Sequence, residues 1–400
     1  MKILHLTNKP PWPAKDGGAI AILNMVRGFS SLGHRVTILS MNTRKHHTSR
    51  EEIPEKVAGL ADFYLAEVPA EISIPGALWN LCFSKEPYNA IRFISEEYKS
   101  ALIRLLKGKS FDIIQLEGLY LCPYIPVIRE FSNARVVYRA HNIESEIWSR
   151  AAAISSGPRK WYLRNLASRI LKFEKSWINH YDLLVPITGR DGQMLNRLGN
   201  SKPMHVAPTG FDRSILPREL VGMEYPTLFH IGSLEWAPNQ EGLLWFLNYC
   251  WGNLLERHPE LKFYVAGRNA PRWMIDQLSR PGVVFVGEVE DAFNFMRSKA
   301  VMVVPLLSGS GMRIKIMEGM ALGKAIVSTT IGAEGLAVQN GENILIADTP
   351  ECFTEKVESL ITHRARLDQL GEKAASFIRE NLDNRHIAEK LAAFYQNHLT

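Results

Sequence analysis

The chain has 400 residues, 46% apolar and 22% charged, with a net charge of +6 and a pI near 9.0. A single core rarely serves more than about 250–300 residues, so two domains or more are expected. The absence of an apolar run near 18 residues excludes a membrane-spanning helix, and Cys82, Cys122, Cys250 and Cys352 lie too far apart, without Cys-x-x-Cys or Cys/His spacing, for a zinc module.

In chain order, a strand at Ile3–Thr7 opens the sequence with no signal-peptide layout before it. The turn Lys15-Asp-Gly17-Gly18 leads into a helix at Ala19–Leu32, and short apolar runs follow at Arg35–Ser40, Ile113–Leu116, Val136–Tyr138 and Leu183–Pro186. Short apolar runs spaced by helical segments indicate parallel sheets covered on both faces. A Pro/Gly-containing connection at Met204–Asp212 precedes a second series at Thr227–Ile231, Phe263–Ala266, Val283–Val286, Met302–Pro305, Ala325–Ser328 and Ile344–Ile346. The expected class is α/β, with two doubly wound Rossmann-like domains over residues 1–205 and 206–383. A periodic helix at His386–His398, within residues 384–400, is expected to cross back onto the first domain. Ligands in such folds bind at the carboxyl ends of the strands, so a site in a cleft between the domains is expected.

Charge divides unevenly: residues 1–205 carry 28 Lys and Arg against 18 Asp and Glu, and residues 206–400 carry 19 against 23. A basic first half suits an anionic partner, such as lipid headgroups, a phosphorylated acceptor or nucleic acid, but is also ordinary for a soluble enzyme. The segment Pro158–Asn179 bears Arg159, Lys160, Trp161, Arg164, Arg169, Lys172, Lys175 and Trp177. It reads either as an amphipathic helix with its apolar face in the core or as a surface resting on anionic lipid, and a membrane patch would be formed by this helix or by Ile72–Phe83. The four cysteines read as reduced core thiols of a cytoplasmic protein.

The richest stretch is Ser308-Gly-Ser-Gly-Met-Arg313-Ile-Lys315-Ile-Met-Glu318, running on to Ser328. A glycine turn opening onto a helix presents unpaired amides and the positive end of the dipole, which suits a phosphate. Arg313 and Lys315 fall in the expected first turn, where the dipole disfavours cations, so a bound anion is inferred. Glu318, about one and a half turns further, offers an acceptor for a ribose. A solvated helix start closed by Gly323 is the plainer alternative. Other chemistries fail on spacing. Gly319–Ala325 is one residue short of a Walker A loop and has Ala where Ser or Thr must hold magnesium. No Gly-x-Gly-x-x-Gly follows the first strand, no Gly-x-Ser-x-Gly elbow is present, and no Asp-x-Asp offers a metal clamp.

The opening strand, Lys15–Ala19, Leu32-Gly-His34-Arg-Val-Thr37, Ala140-His141-Asn142, Thr209–Asp212 and Ser310–Ser328 together resemble a retaining glycosyltransferase of family 4 along nearly the whole chain. Ile113–Glu117, Arg139–Glu144 and Gly232–Asn239 resemble the branch found in bacterial surface-polysaccharide synthesis, lipopolysaccharide included. The resemblance implies the GT-B fold and transfer of a sugar from a nucleoside-diphosphate donor to a glycan or lipid-linked acceptor. No metal is expected if Arg313 and Lys315 carry the charge, since no carboxylate pair is positioned to hold one; no other cofactor and no nucleic-acid partner is expected, and peripheral contact with the inner membrane face is compatible with this reading.

Residue by residue, the resemblance makes Glu318 the ribose-binding second Glu of the family signature. Ser310 stands where the first Glu is expected, leaving the amides of Gly311 and Met312 to share the donor-sugar contact. Ser233 stands where an Arg usually neutralises the diphosphate, and the companion Lys is missing from Asn239–Gly242. Arg313 and Lys315 are expected to restore those charges. Gly17 and Gly18 would let backbone approach the diphosphate, and His141 would meet the donor sugar, with Asn142 and Glu144 as acceptor candidates. His5, His34 and His205 are assigned structural roles. Other nucleotide-sugar chemistry, such as epimerisation with hydrolysis, and a weakly active nucleotide-sugar-binding protein are the competing readings.

Overall fold

The computed structural model describes residues 1–14, 16–153, 155–212, 215–216, 222–309 and 311–399. Lys15 and Ser310 therefore lie outside the described residues. The chain divides into two compact units, one of Met1–Gly210 with Asn384–Thr400 and one of Phe211–Asp383.

Among the described residues, the first unit is built on a six-stranded parallel sheet in the order β3-β2-β1-β4-β5-β6. The strands are β1 (Lys2–Thr7), β2 (Arg35–Asn42), β3 (Asp62–Glu67), β4 (Ile113–Glu117), β5 (Arg135–Ala140) and β6 (Leu183–Pro186). The second unit repeats the plan with β7 (Thr227–Ile231), β8 (Lys262–Ala266), β9 (Val283–Gly287), β10 (Val301–Val304), β11 (Ala325–Ser328) and β12 (Leu345–Ile346). Its order, β12-β11-β10-β7-β8-β9, is the same winding read from the other edge. Each sheet reverses direction beside its first strand, between β1 and β4 and between β7 and β10. A crevice opens outside the carboxyl ends of the strands at such a switch point, because the crossover helices on its two sides cover opposite faces.

Central strands covered on both faces must be apolar throughout, and Ile3, Leu4, Ile113, Ile114, Val136, Leu228, Val301 and Met302 are fully buried. That is why continuous apolar runs located these strands in the sequence. β3 was not expected: its Asp-Phe-Tyr-Leu-Ala-Glu alternates exposed and buried positions at the sheet edge, so it shows no apolar run.

The boundary expected at 205/206 falls instead at Gly210/Phe211. The connection keeps pairing with β6 as the chain leaves it, His205 N to Leu184 O at 3.1 Å and Ala207 N to Pro186 O at 3.0 Å, which holds these residues in the first unit. The last helix, Asn384–Gln396, packs on the helix Gly17–Ser31. It buries Ile387, Ala388, Leu391 and Tyr395, and Asn384 Nδ2 donates to Asn24 O at 2.8 Å. The cysteines are not all core residues: Cys122 and Cys250 are buried, but Cys82 is exposed and Cys352 half-buried, because the helix that carries Cys82, Ile74–Phe83, leaves much of its apolar surface open.

Candidate functional site

At the first switch point, alternation and register set the chemistry. Residues two apart on a strand share a face. His5 lies opposite Gln115 on neighbouring strands, and Glu117 opposite Arg139. His5, Gln115, Glu117, Arg139 and His141 are therefore gathered on one face at the strand ends. Glu117 is the hub. Its Oε1 accepts from His5 Nδ1 at 2.7 Å and from Gln115 Nε2 at 2.5 Å. Its Oε2 accepts from His141 Nε2 at 2.7 Å and from Arg139 Nη1 at 3.3 Å.

Burial alone would raise the Glu117 pKa, but the Arg139 charge and the hydrogen bonds from His141 and His5 outweigh it and hold the carboxyl well below its ordinary range. With Nε2–H committed to Glu117, a neutral His141 carries its lone pair on Nδ1. Burial, aided by the charges on Arg139 and Lys9, lowers its pKa against the pull of Glu117 and favours that neutral form. Tyr395 of the last helix donates to Gln115 Oε1 at 2.5 Å, so the chain's end locks the hub from behind.

Beside His141, Glu144 opens the helix Glu144–Ala153. Glu174 caps that helix, accepting from Glu144 N at 3.1 Å and Ser145 Oγ at 2.6 Å. Burial raises the Glu144 carboxyl to about 7 even though Tyr120 donates to it at 2.9 Å.

At the second switch point, β10 runs into a turn in which Gly309 and Gly311 have φ of 109° and 82°, conformations that disfavour a side chain. The helix Ile314–Ala321 follows, with Arg313 as its N-cap residue and no side-chain cap. Lys315 Nζ donates to Asn239 Oδ1 at 2.8 Å and lies 3.2 Å from His230 Nε2. His230 Nδ1 is 3.0 Å from Val303 O, which only accepts, so Nδ1 carries the proton and Nε2 accepts from Lys315. Burial and then the Lys315 charge push the His230 pKa well below its usual value, consistent with that neutral ring.

Gly232 permits this packing, since a Cβ there would stand 2.8 Å from Asn239 Nδ2 and 3.1 Å from Lys315 Nζ. Burial, and then Arg313, bring the Lys315 pKa from 10.5 to about 7. Among the described residues no carboxylate pairs with Lys315. Arg313 is buried, with its guanidinium 5.4 Å from the Trp236 ring and its Nη1 donating to Gly311 O at 3.0 Å. Burial raises Glu318 to about 7, and among the described residues nothing hydrogen-bonds its side chain. The arrangement is a cationic pair at a helix N-terminus with an open carboxyl one turn on, which suits an anion linked to a hydroxyl-bearing group.

The residues singled out in the sequence are thus sorted. Arg313, Lys315, Glu318, Gly311, Met312 and Ser233 gather at the second switch point, with Ser233 O accepting from Asn239 Nδ2 at 2.8 Å. Ser310 falls outside the described residues. His141, Asn142 and Glu144 follow β5 in the first unit. Two placements change. Gly17 and Gly18 are the first residues of the helix rather than a loop before it, and Asp16 already caps the Ala19 amide at 3.0 Å, itself held by Lys9. Arg313 precedes its helix rather than lying in the first turn.

His5, assigned a structural role from sequence, touches the hub directly, and Glu117, Arg139, His230 and Asn239 were missed as site residues. A polar residue interrupting an apolar strand, as in Ile3-Leu-His5-Leu and Leu228-Phe-His230-Ile, was the available signal.

Comparison with known proteins agrees with this geometry. A model of Glycosyltransferase Family 4 matches residues 15–215, and a model of group 1 glycosyl transferases matches residues 225–363. The chain belongs to glycosyltransferase family 4. It is 23% identical over 415 residues to an uncharacterized 44.6 kDa protein in the cps region of Klebsiella pneumoniae, covering 96% of this chain and 97% of that protein. An uncharacterized glycosyltransferase of Methanocaldococcus jannaschii is 32% identical over 93 residues, 23% of this chain and 26% of its own. Among solved structures, sucrose-phosphate synthase from Thermosynechococcus elongatus superposes with a TM-score of 0.75 at 14% identity, over 99% of both chains. HepE of Anabaena in complex with UDP superposes at 0.69 and 13% identity, over 99% of this chain and 100% of its own. The fold is GT-B.

Proposed function

We propose that this glycosyltransferase retains anomeric configuration and moves a sugar from a nucleoside-diphosphate donor to a glycan or lipid-linked acceptor in bacterial surface-polysaccharide synthesis. The observation that carries the reading is the Lys315–Asn239–His230 cluster beside Arg313 at an uncapped helix start. Breaking the bond from the anomeric carbon to the diphosphate leaves negative charge on the diphosphate and oxocarbenium character on the sugar. Fixed cations and helix amides at that point supply the main catalytic term.

Arg313 and Lys315 serve the diphosphate, Glu318 the ribose hydroxyls, and the amides of Gly311 and Met312, with Ser310 and Ser233, the remaining donor contacts. The helix that opens at Gly17 and Gly18 presents amides of the kind that suit a donor phosphate. His141, held by Glu117, offers Nδ1 to a donor-sugar hydroxyl, while Asn142 and Glu144 receive the acceptor. The leaving phosphate takes the acceptor proton on the front face. These residues supply the charge without a metal or other cofactor. HepE and trehalose-6-phosphate of E. coli, solved with UDP and UDP-2-fluoro glucose respectively, make UDP the first donor nucleotide to test.

No described helix is long and apolar enough to cross a membrane. Ile72, Leu78, Trp79, Phe83 and Trp161 are exposed nonetheless, and Arg169 joins their two segments by donating to Leu81 O at 2.8 Å. The helix Gly157–Trp177 buries its apolar face and exposes Arg159, Arg164, Lys172 and Lys175. This surface supports peripheral contact with anionic lipid on the cytoplasmic side.

The deciding experiment supplies UDP-sugars and lipid-linked or free glycan acceptors to the whole protein in excess EDTA. Transfer with retained configuration is expected. Release of free sugar regardless of acceptor, or activity that only a divalent metal restores, overturns the proposal.

A further inference from the structure

A cavity of about 550 Å³ opens in the first unit at the carboxyl ends of β1, β2 and β3. That volume holds a sugar-sized ligand. Its polar lining is mostly cationic: Lys9, Arg44, Lys45 and Arg92, with His46, against the single carboxylate Glu71.

The cations are unequally engaged. Asp16 holds Lys9 through both oxygens at 2.7 Å. Arg44 meets Glu71 at 3.3 Å, but both side chains are largely exposed, so that pair is weak and easily parted. Among the described residues Lys45 has no acidic partner. Arg92 stacks 4.7 Å over the Phe93 ring, its Nη1 reaches Ala70 O only at 3.5 Å, and its Nε is buried with no partner. A half-buried arginine whose buried Nε has no partner among the described residues carries a desolvation cost that a planar, two-oxygen anion would offset. Burial, Lys9, Lys45 and Arg92 together also depress His46, which reports the positive field converging there despite Asp16. β1 carries His5 into the hub and runs on into Asn8 and Lys9 of the cavity, so the two lie side by side at the carboxyl ends of the strands.

We propose that this cavity receives an anionic group of the acceptor, a phosphate or a sugar carboxylate, with Arg92 as its anchor and Lys45 and Arg44 at its mouth. The proposal rests on the reading of the first unit as the acceptor side. Ile72, exposed yet lining the cavity, continues into the apolar surface of the helix Ile74–Phe83 and gives a lipid-borne phosphate an approach.

The test titrates inorganic pyrophosphate and, separately, glucuronate into the whole protein with excess UDP filling the nucleotide site. At least one should bind in the millimolar range or tighter. Arg92→Gln and Lys45→Ala should each weaken it about tenfold or more, and Arg313→Ala should leave it unchanged. Pyrophosphate alone identifies a phosphate-bearing acceptor and glucuronate alone an acidic sugar. If neither binds, or if binding ignores both Arg92→Gln and the surface variant Lys45→Ala, the proposal falls. UDP titrated alone separates the two readings: UDP bound without either anion removes only this inference, whereas a protein that binds pyrophosphate but no UDP removes the donor reading.

Discussion

At the switch point of the first sheet, Glu117 is buried among His5, Arg139 and His141; at that of the second, half-buried Lys315 stands beside buried Arg313 and His230, with no carboxylate upon it among the described residues. The two sheets share one strand order, so the contrast comes from side chains alone. In the first unit the charge is answered from within: Arg139 lies opposite Glu117 in register and two histidines add their protons. In the second, two cations share a helix start, and burial lowers Lys315 to about 7. The neighbours of Glu117 answer its charge and orient His141, although Arg139 Nε and Nη2 and His5 Nε2 are buried without hydrogen-bond partners, whereas Lys315 has no acidic partner among the described residues. The first therefore reads as the frame that aims His141, and the second as the diphosphate seat.

The largest test of that contrast is stability. Glu117→Ala leaves Arg139 buried and uncompensated, and should cost about 3–5 kcal/mol in urea unfolding. Lys315→Met removes a half-buried cation and should change stability far less, while weakening diphosphate affinity about ten- to a hundredfold. Equal losses in the two variants would erase the distinction.

Next in size is His141→Ala, expected to lower turnover about ten- to a thousandfold with the fold retained, as for a positioned polar group at a reacting centre. Near-normal turnover would return His141 to a structural role.

A smaller effect is the pH dependence of UDP affinity. A diphosphate beside Lys315 favours its protonated form, so affinity should be flat below about pH 7 and fall by up to about tenfold per unit above it. Stability of the unliganded protein should move the other way. The folded pKa lies below the ordinary 10.5, so the unfolded chain binds more protons between about 7 and 10.5, and the Lys315 contribution rises with pH through that window. Lys315→Met should flatten both profiles; profiles that keep their slope would assign the titration elsewhere.

Much of this was legible in the sequence. Buried parallel strands announce themselves as apolar runs, and the Ser308–Ser328 stretch carried its glycine turn, cations and Glu318 in one linear segment. β3 was not legible because an edge strand needs only one apolar face. The Glu117 hub was not legible as a unit because its members come from β1, β4, β5 and the last helix, and only strand order and register bring residues 5, 115, 117, 139 and 395 together. Lys315's partners His230 and Asn239 are likewise far from it in sequence and are joined by the β7–β10 neighbourhood.

The central claim, that Arg313 and Lys315 form the diphosphate seat, is tested most directly by calorimetry of UDP and uridine on Arg313→Ala and Glu318→Ala. Arg313→Ala should weaken UDP about ten- to a hundredfold, from the loss of a charge-assisted contact worth about 1.5–3 kcal/mol, and leave uridine nearly unchanged. Glu318→Ala should weaken both by similar factors. UDP affinity unchanged in Arg313→Ala, or lost in parallel with uridine, would contradict the account.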